Sequence, residues 1–139
     1  DYIAGNQAAL LDAVRACDVF LPSEVEAAAL AGGSEPAVAA AAFLRLGPRV
    51  VVIKRAAAGC VVATREQPEP VVIPTDPVDP VDSTGAGDAF CGAFATEHLR
   101  SGDVHAAVGA GAAAARIAVG APGVSGLLAA VAAAGGVRR

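Results

Sequence analysis

A layered α/β domain is what this sequence predicts, on three observations. Hydrophobic residues make up 55% of its 139 residues and charged ones only 17%, a composition that packs a core rather than staying unfolded. The runs RVVVIK at 49–54 and GCVVAT at 59–64 are continuously apolar and β-branched, the mark of strands buried on both faces. Around those runs lie alanine-rich stretches of helical length. Strands mixed with helices on this scale predict a sheet flanked by helices, with its central strands parallel. The length suits one ordinary domain and is short for two. Aromatic residues are scarce (Phe 4, Tyr 1, Trp 0), so the core must come from Ala, Val and Leu, whose small side chains let helices lie close on a sheet.

Taken in order, Asn6 can cap a helix through QAALLDAVRAC, where Leu10, Leu11, Val14 and Cys17 share a face. DVFLP at 18–22 reads as a short buried strand that Pro22 ends. SEVEAAALAGG reads as a helix with Ser23 at its cap, Glu24 and Glu26 in the first turn, and Gly32-Gly33 as its stop. A third helix covers about 35–46 and ends at Gly47-Pro48. RVVVIK follows, then a short turn, GCVVAT, and PVVIP at 70–74; the segment around Val78 is expected to add one more short strand. The chain then turns helical from Ala86 to Leu99, and Ser101 or Asp103 caps a helix reaching about Val119. GAPG at 120–123 breaks it, and a last alanine-rich helix precedes a basic tail. There is no true repeat, and no linker long enough to split the domain is expected.

The formal net charge is −4 and the basic residues are scattered, which argues against nucleic acid or an anionic membrane as partner. The run AAVGAGAAAARIAVGA at 106–121 carries Arg116 and three glycines, and lacks the Leu/Ile/Phe density of a spanning helix. Cys17, Cys60 and Cys91 are far apart and have no metal-ligand spacing. Small buried thiols in a reducing cytoplasm are the expectation. No signal peptide is expected from the opening residues. It begins DYIAGNQ as though in mid-fold and contains no Met, as expected of a fragment or of a chain whose start was lost.

VDSTGAGDAFCGAF at 81–94 is the stretch that carries chemistry. A glycine turn that enters a helix makes a natural anion site, because the first helical N–H groups lack internal partners and the positive end of the dipole sums there. Gly85 and Gly87 let a phosphate approach the backbone with no side chain in the way. Asp88 would repel that phosphate in the ground state. Beside it, however, a carboxylate can act as a base that takes the proton of an incoming hydroxyl. The plainer alternative is that Asp88 complements the helix dipole and the glycines form a tight turn. A Walker-type loop is excluded because no Gly-Lys-Ser/Thr follows, and the three-glycine dinucleotide spacing is missing.

DSTGAGDAFCGAFA resembles the C-terminal signature of the PfkB/ribokinase family of carbohydrate kinases, whose usual form is Asp-Thr-Thr-Gly-Ala-Gly-Asp-x-Phe; Ser83 is the main deviation. Two further segments agree in order. DVFLPSEVEAAAL is similar to the family's Pro-Asn-x-x-Glu segment, and VVVIKRAAAGCVVAT to its strand–turn–strand with Gly-x-x-Gly. The alanine-rich helix and VGAPG sit where the family builds its adenine pocket. Nearly the whole chain is covered, against only the C-terminal half of a typical member. The resemblance implies the C-terminal part of a three-layer, Rossmann-like sheet with flanking helices, spanning 1–139 as a nucleotide-binding part. It also implies ATP-dependent phosphorylation of a sugar hydroxyl in the cytoplasm.

On the same resemblance, Asp88 is the catalytic base, and the amides of Gly85, Ala86 and Gly87 form the anion hole. Asp82 and Thr84 match positions near a monovalent cation such as K⁺. Glu26 matches the glutamate that organises Mg²⁺ through water, although a glutamate there also suits a helix N-terminus. Lys54, Ala56, Gly59 and Ala112 would flank the nucleotide; a solvated strand end is the alternative for Lys54. Three departures stand out. Ser23 replaces the family's Asn near the metal and has a shorter reach and no amide donor. Ala56 replaces the first glycine of Gly-x-x-Gly, so that turn must avoid positive φ or absorb strain. Ala112 lies where the family often has Asn.

The family's sugar contacts and its dimer-forming lid lie mostly upstream of the matched segments. A small-molecule sugar substrate and a homodimer through that lid are therefore implied without being legible here. DVFLPSEVE and KRAAAG lean towards the keto-sugar and fructose kinases. The rival expectation is a truncated or degenerate kinase-like domain that binds nucleotide without turnover, because positioning the hydroxyl is most of the catalysis.

Overall fold

In the computed structural model, which describes residues 2–134, the first helix, α1 (Tyr2–Ala16), leaves helical geometry at Asn6 (φ −126°, ψ 15°). The break falls at the residue whose side chain nominates it as a cap. The strand β1 (Val19–Phe20) follows, then α2 (Glu24–Leu30), α3 (Pro36–Leu46), β2 (Val50–Lys54), a 3-10 turn over Ala56–Ala58, β3 (Cys60–Thr64) and β4 (Val71–Ile73). Three more helices complete the order: α4 (Ala86–Ser101), α5 (Val104–Val119) and α6 (Ser125–Ala133). The chain divides into two compact units, Asp1–Thr75 and Asp76–Arg139. The basic tail expected after the last helix lies outside the described residues.

Within the first unit the sheet runs β1-β2-β3-β4. Among the described strands β1 and β2 pair in parallel, whereas β2–β3 and β3–β4 are antiparallel. The expectation of parallel central strands is corrected to a mixed sheet. Residues 55–59 are too few for the crossover of about a dozen residues that parallel neighbours need, so they close a hairpin. β1 is half-buried rather than buried, in keeping with its place at the end of the sheet. The strand expected around Val78 is absent: 74–80 holds no strand, and Pro74, Pro77 and Pro80 remove the donors that a ladder would use.

The β-branched runs do fill strands buried on both faces. Val51 and Ile53 of β2 and Val61 and Ala63 of β3 join Val14, Ala27, Leu30, Ala39, Ala40 and Phe43 from the three helices in one core. Their alternates Val50, Val52, Cys60 and Val62 are buried as well. Phe20 meets Phe43 edge-on with ring centroids 5.2 Å apart, a favoured aromatic geometry that ties β1 to α3.

In the second unit Asp103 caps α5, accepting from His105 N at 2.8 Å and Ala106 N at 3.1 Å. Ser101 instead ends α4, its hydroxyl donating to Glu97 O. Such a short connection makes α4 and α5 antiparallel neighbours. Phe90 and Phe94 stack at 6.2 Å and are buried. Gly111 lets the helices close on them, since a Cβ there would lie 2.9 Å from the Phe90 ring. Among the described residues no helix is long and apolar enough to cross a membrane.

Candidate active site

The start of α4 is built by a left-handed glycine. Gly85 takes φ 77°, ψ −1° as the N-cap, and Ala89 N donates to its carbonyl at 2.9 Å. Such a φ is readily available only to glycine, and it turns the chain from the 81–84 segment straight into the helix. Ala86 N donates to Ser83 O at 3.2 Å. The first-turn donors without a helical partner are therefore those of Gly87 and Asp88, beside Gly85. Of the three amides expected to form an anion hole, that of Ala86 is already engaged in the turn. Asp88 is exposed in this first turn. Among the described residues no hydrogen bond or ion pair engages its carboxylate.

Asp82 behaves differently. Its Oδ1 accepts from Thr84 N at 2.9 Å and its Oδ2 from Gly123 N at 2.8 Å. The N–H donors of Gly123 and Thr84 hold its carboxyl below the usual aspartate range. The stabilisation they give is complete above the ordinary aspartate pKa and is lost as pH falls through the depressed value. Each carboxylate oxygen accepts one backbone N–H and keeps a further acceptor direction, so a monovalent cation there would share the carboxylate with these two donors. Ala112 lies half-buried on α5, next to the Gly111 that packs on Phe90.

The first unit brings Ser23, Glu26 and Lys54 together at the carboxyl ends of β1 and β2, where open α/β sheets place their ligands. Lys54 N donates to Pro22 O at 2.9 Å, and Ser23 and Lys54 form an isolated parallel bridge. Ser23 and Glu26 close a capping box: the Ser23 hydroxyl accepts from Glu26 N, while Glu26 Oε2 accepts from Ser23 N at 2.7 Å and from its hydroxyl at 2.8 Å. The Ser23 amide, then its hydroxyl, and more weakly the Lys54 ammonium hold the Glu26 carboxyl below its ordinary range. Sequence reading missed the Arg55–Glu24 ion pair (3.1 Å), which fastens the hairpin turn to α2; no spacing rule links residues 31 apart.

Does this donor set suit Mg²⁺? Among the described residues no group of three or more His, Cys, Asp or Glu could hold a metal. Mg²⁺ keeps several waters and leans on one or two carboxylates plus substrate phosphates, so one ionised glutamate fits an outer-shell contact. Burial raises the thiol of Cys60 to about 11, which makes it an inert core residue rather than a nucleophile.

Ala56 shows how the departure from Gly-x-x-Gly is accommodated. It takes φ 47°, the positive-φ non-glycine residue among those described, so the turn absorbs strain rather than avoiding it. An alanine in the left-handed region costs about 1–2 kcal/mol, of which glycine's extra chain entropy returns a part. Ala56→Gly is therefore expected to raise stability by about 0.5–1 kcal/mol in urea unfolding, whereas Ala57→Gly lowers it.

The sequence profile described as pfkB family carbohydrate kinase matches residues 3–130. A ribokinase of Mus musculus is 45% identical over 82 residues, covering 55% of this chain and 25% of that protein. A deoxyribokinase of Salmonella typhi is 36% identical over 97 residues, covering 66% of this chain and 31% of that one. Among solved structures, a protein from E. coli assigned as a ribokinase II, in complex with ATP and Mg²⁺, superposes with a TM-score of 0.75 at 33% identity. That match covers 87% of this chain and 39% of the other. The chain thus spans a quarter to two-fifths of the length of these relatives.

Proposed function

Because the chain belongs to the pfkB family of carbohydrate kinases, we propose that it supplies the phosphate-handling part of an ATP-dependent sugar kinase that works in the cytoplasm. The observation that carries this reading is the start of α4: a left-handed glycine, first-turn amides without helical partners, and an exposed Asp88 carboxylate that no cap engages.

In the proposed reaction the sugar hydroxyl gives its proton to the Asp88 carboxylate as its oxygen attacks the γ-phosphorus. The bond from that phosphorus to the β,γ-bridging oxygen breaks, and ADP leaves with the electron pair. Charge on the γ-phosphoryl oxygens is met by the amides of Gly85 and Gly87 and by the dipole of α4, donors fixed in place before reaction. The Ala86 amide joins them only by leaving Ser83. Bound Mg²⁺ would neutralise phosphate charge, and Glu26, kept ionised by its capping box, would orient water around it. Lys54, Ala56, Gly59 and Ala112 would line the nucleotide.

Ribose and deoxyribose are the first substrates to try, ahead of fructose and 2-keto-3-deoxygluconate; the support for this order is that relatives are named ribokinase and deoxyribokinase. The test is sugar-dependent ADP release across such a panel, using the protein expressed from its complete reading frame. Release with one sugar and not the others supports the proposal and names the substrate. Silence with every sugar while MgATP still binds would sink it in favour of a nucleotide-binding domain without turnover.

A further inference from the structure

Three sets of contacts join the 81–85 segment to the 119–124 turn. Val119 O accepts from Val81 N at 2.8 Å and from Asp82 N at 3.3 Å. Asp82 Oδ2 accepts from Gly123 N, while Oδ1 accepts from Thr84 N, the residue before the left-handed Gly85. Gly85 itself faces Val124, whose Cγ1 would lie 3.5 Å from a Cβ placed there. A carboxylate suits this position because it accepts on both oxygens, whereas an amide accepts on one and would turn an N–H₂ towards a donor.

We propose that Asp82 is a positioning residue: by holding the Thr84 amide on one oxygen and the Gly123 amide on the other, it sets the entry of α4, and with it Asp88, against the α5–α6 turn. The family resemblance implies a monovalent cation near this place; the brace is made by the two backbone donors themselves. The consequence for turnover rests on the kinase reading, since misplacing a reacting group by about 1 Å can lower a rate on the order of 100-fold. The brace itself does not rest on that reading.

Amide hydrogen exchange and steady-state kinetics on the protein from its complete reading frame separate the two. In the wild type the Gly123 and Thr84 amides should be protected; a freely exchanging Gly123 amide overturns the brace without need of any variant. Asp82→Asn should speed exchange at Gly123 and across 84–88 by about 10-fold or more while the β2–β3 amides keep their protection. It should also lower kcat by about 10–100-fold with KM for ATP and sugar nearly unchanged. Asp82→Glu, which keeps both acceptors at a longer reach, should recover part of each. Unchanged exchange at 84–88 and Gly123 in Asp82→Asn overturns the proposal, as does a K⁺ dependence of turnover that this variant abolishes. A loss of stability with no split between kcat and KM also overturns it, leaving Asp82 a purely structural role. If the wild type turns over no sugar, the kinase reading has failed and the exchange results alone decide the brace.

Discussion

Asp88→Asn lowers turnover by about 10²–10⁴-fold, the usual contribution of a positioned general base, and leaves ATP affinity unchanged or slightly tighter. The amide has the shape of the carboxylate but cannot take the hydroxyl proton. It also removes a negative charge from beside a bound phosphate, so the nucleotide has no reason to dissociate faster. A dipole role alone predicts the opposite pattern: stability falls by about 0.3–1 kcal/mol and turnover survives. Measuring ADP release together with calorimetric ATP binding and urea unfolding on the same variant separates the two. Full turnover in Asp88→Asn would remove the base from the mechanism and return Asp88 to the helix dipole.

The contrast with Glu26 sharpens that expectation. Both residues stand three positions past a helix N-cap, Ser23 in one case and Gly85 in the other. Glu26 reaches back to its cap residue and closes a box; Gly85 offers no side chain with which Asp88 could close one. The sequence shows this difference, because a serine and a left-handed glycine are different caps. It does not show that Ala86 N folds back on Ser83 O, a detail decided by turn geometry rather than residue type.

Helices were legible where caps and stops punctuate them: Ser23, Gly32-Gly33 and Gly47-Pro48 bound α2 and α3 as composition suggests. Buried strands were legible from unbroken β-branched runs. Strand direction is not legible in those runs, because a continuous apolar run signals burial on both faces and says nothing about which way its neighbour runs; the brevity of 55–59 is the better signal. The proline-rich 74–80 segment failed as a strand for want of donors. The links Asp82–Gly123 and Glu24–Arg55 could not be read at all, since they join residues 41 and 31 positions apart, and only folding brings these together.

Gly59→Ala is expected to destabilise the first unit by about 3 kcal/mol or more, since it combines an unfavourable backbone region with overpacking. Gly59 takes φ 79°, ψ −139°, a region that is essentially glycine's own. A Cβ built there would overlap the carbonyl oxygen of Ile73 and lie 2.9 Å from Pro74 Cα. Both obstacles are backbone, and Ile73 is the register partner of Cys60 in the β3–β4 ladder, so they cannot yield without parting β4 from the sheet. Gly33→Ala supplies the control: Gly33 has φ 82° but nothing within 4 Å of its Cβ position, so it should lose only the conformational share, about 1–2 kcal/mol. The difference between the two urea midpoints measures the steric part, and hydrogen exchange across β4 should rise in Gly59→Ala alone. Equal losses in the two variants would mean that β4 moves aside at no cost. The same hairpin turn would then carry two opposite responses to one methyl group: at Ala56 its removal relieves strain, and at Gly59 its addition separates a strand, because backbone conformation limits the first position and a neighbouring carbonyl limits the second.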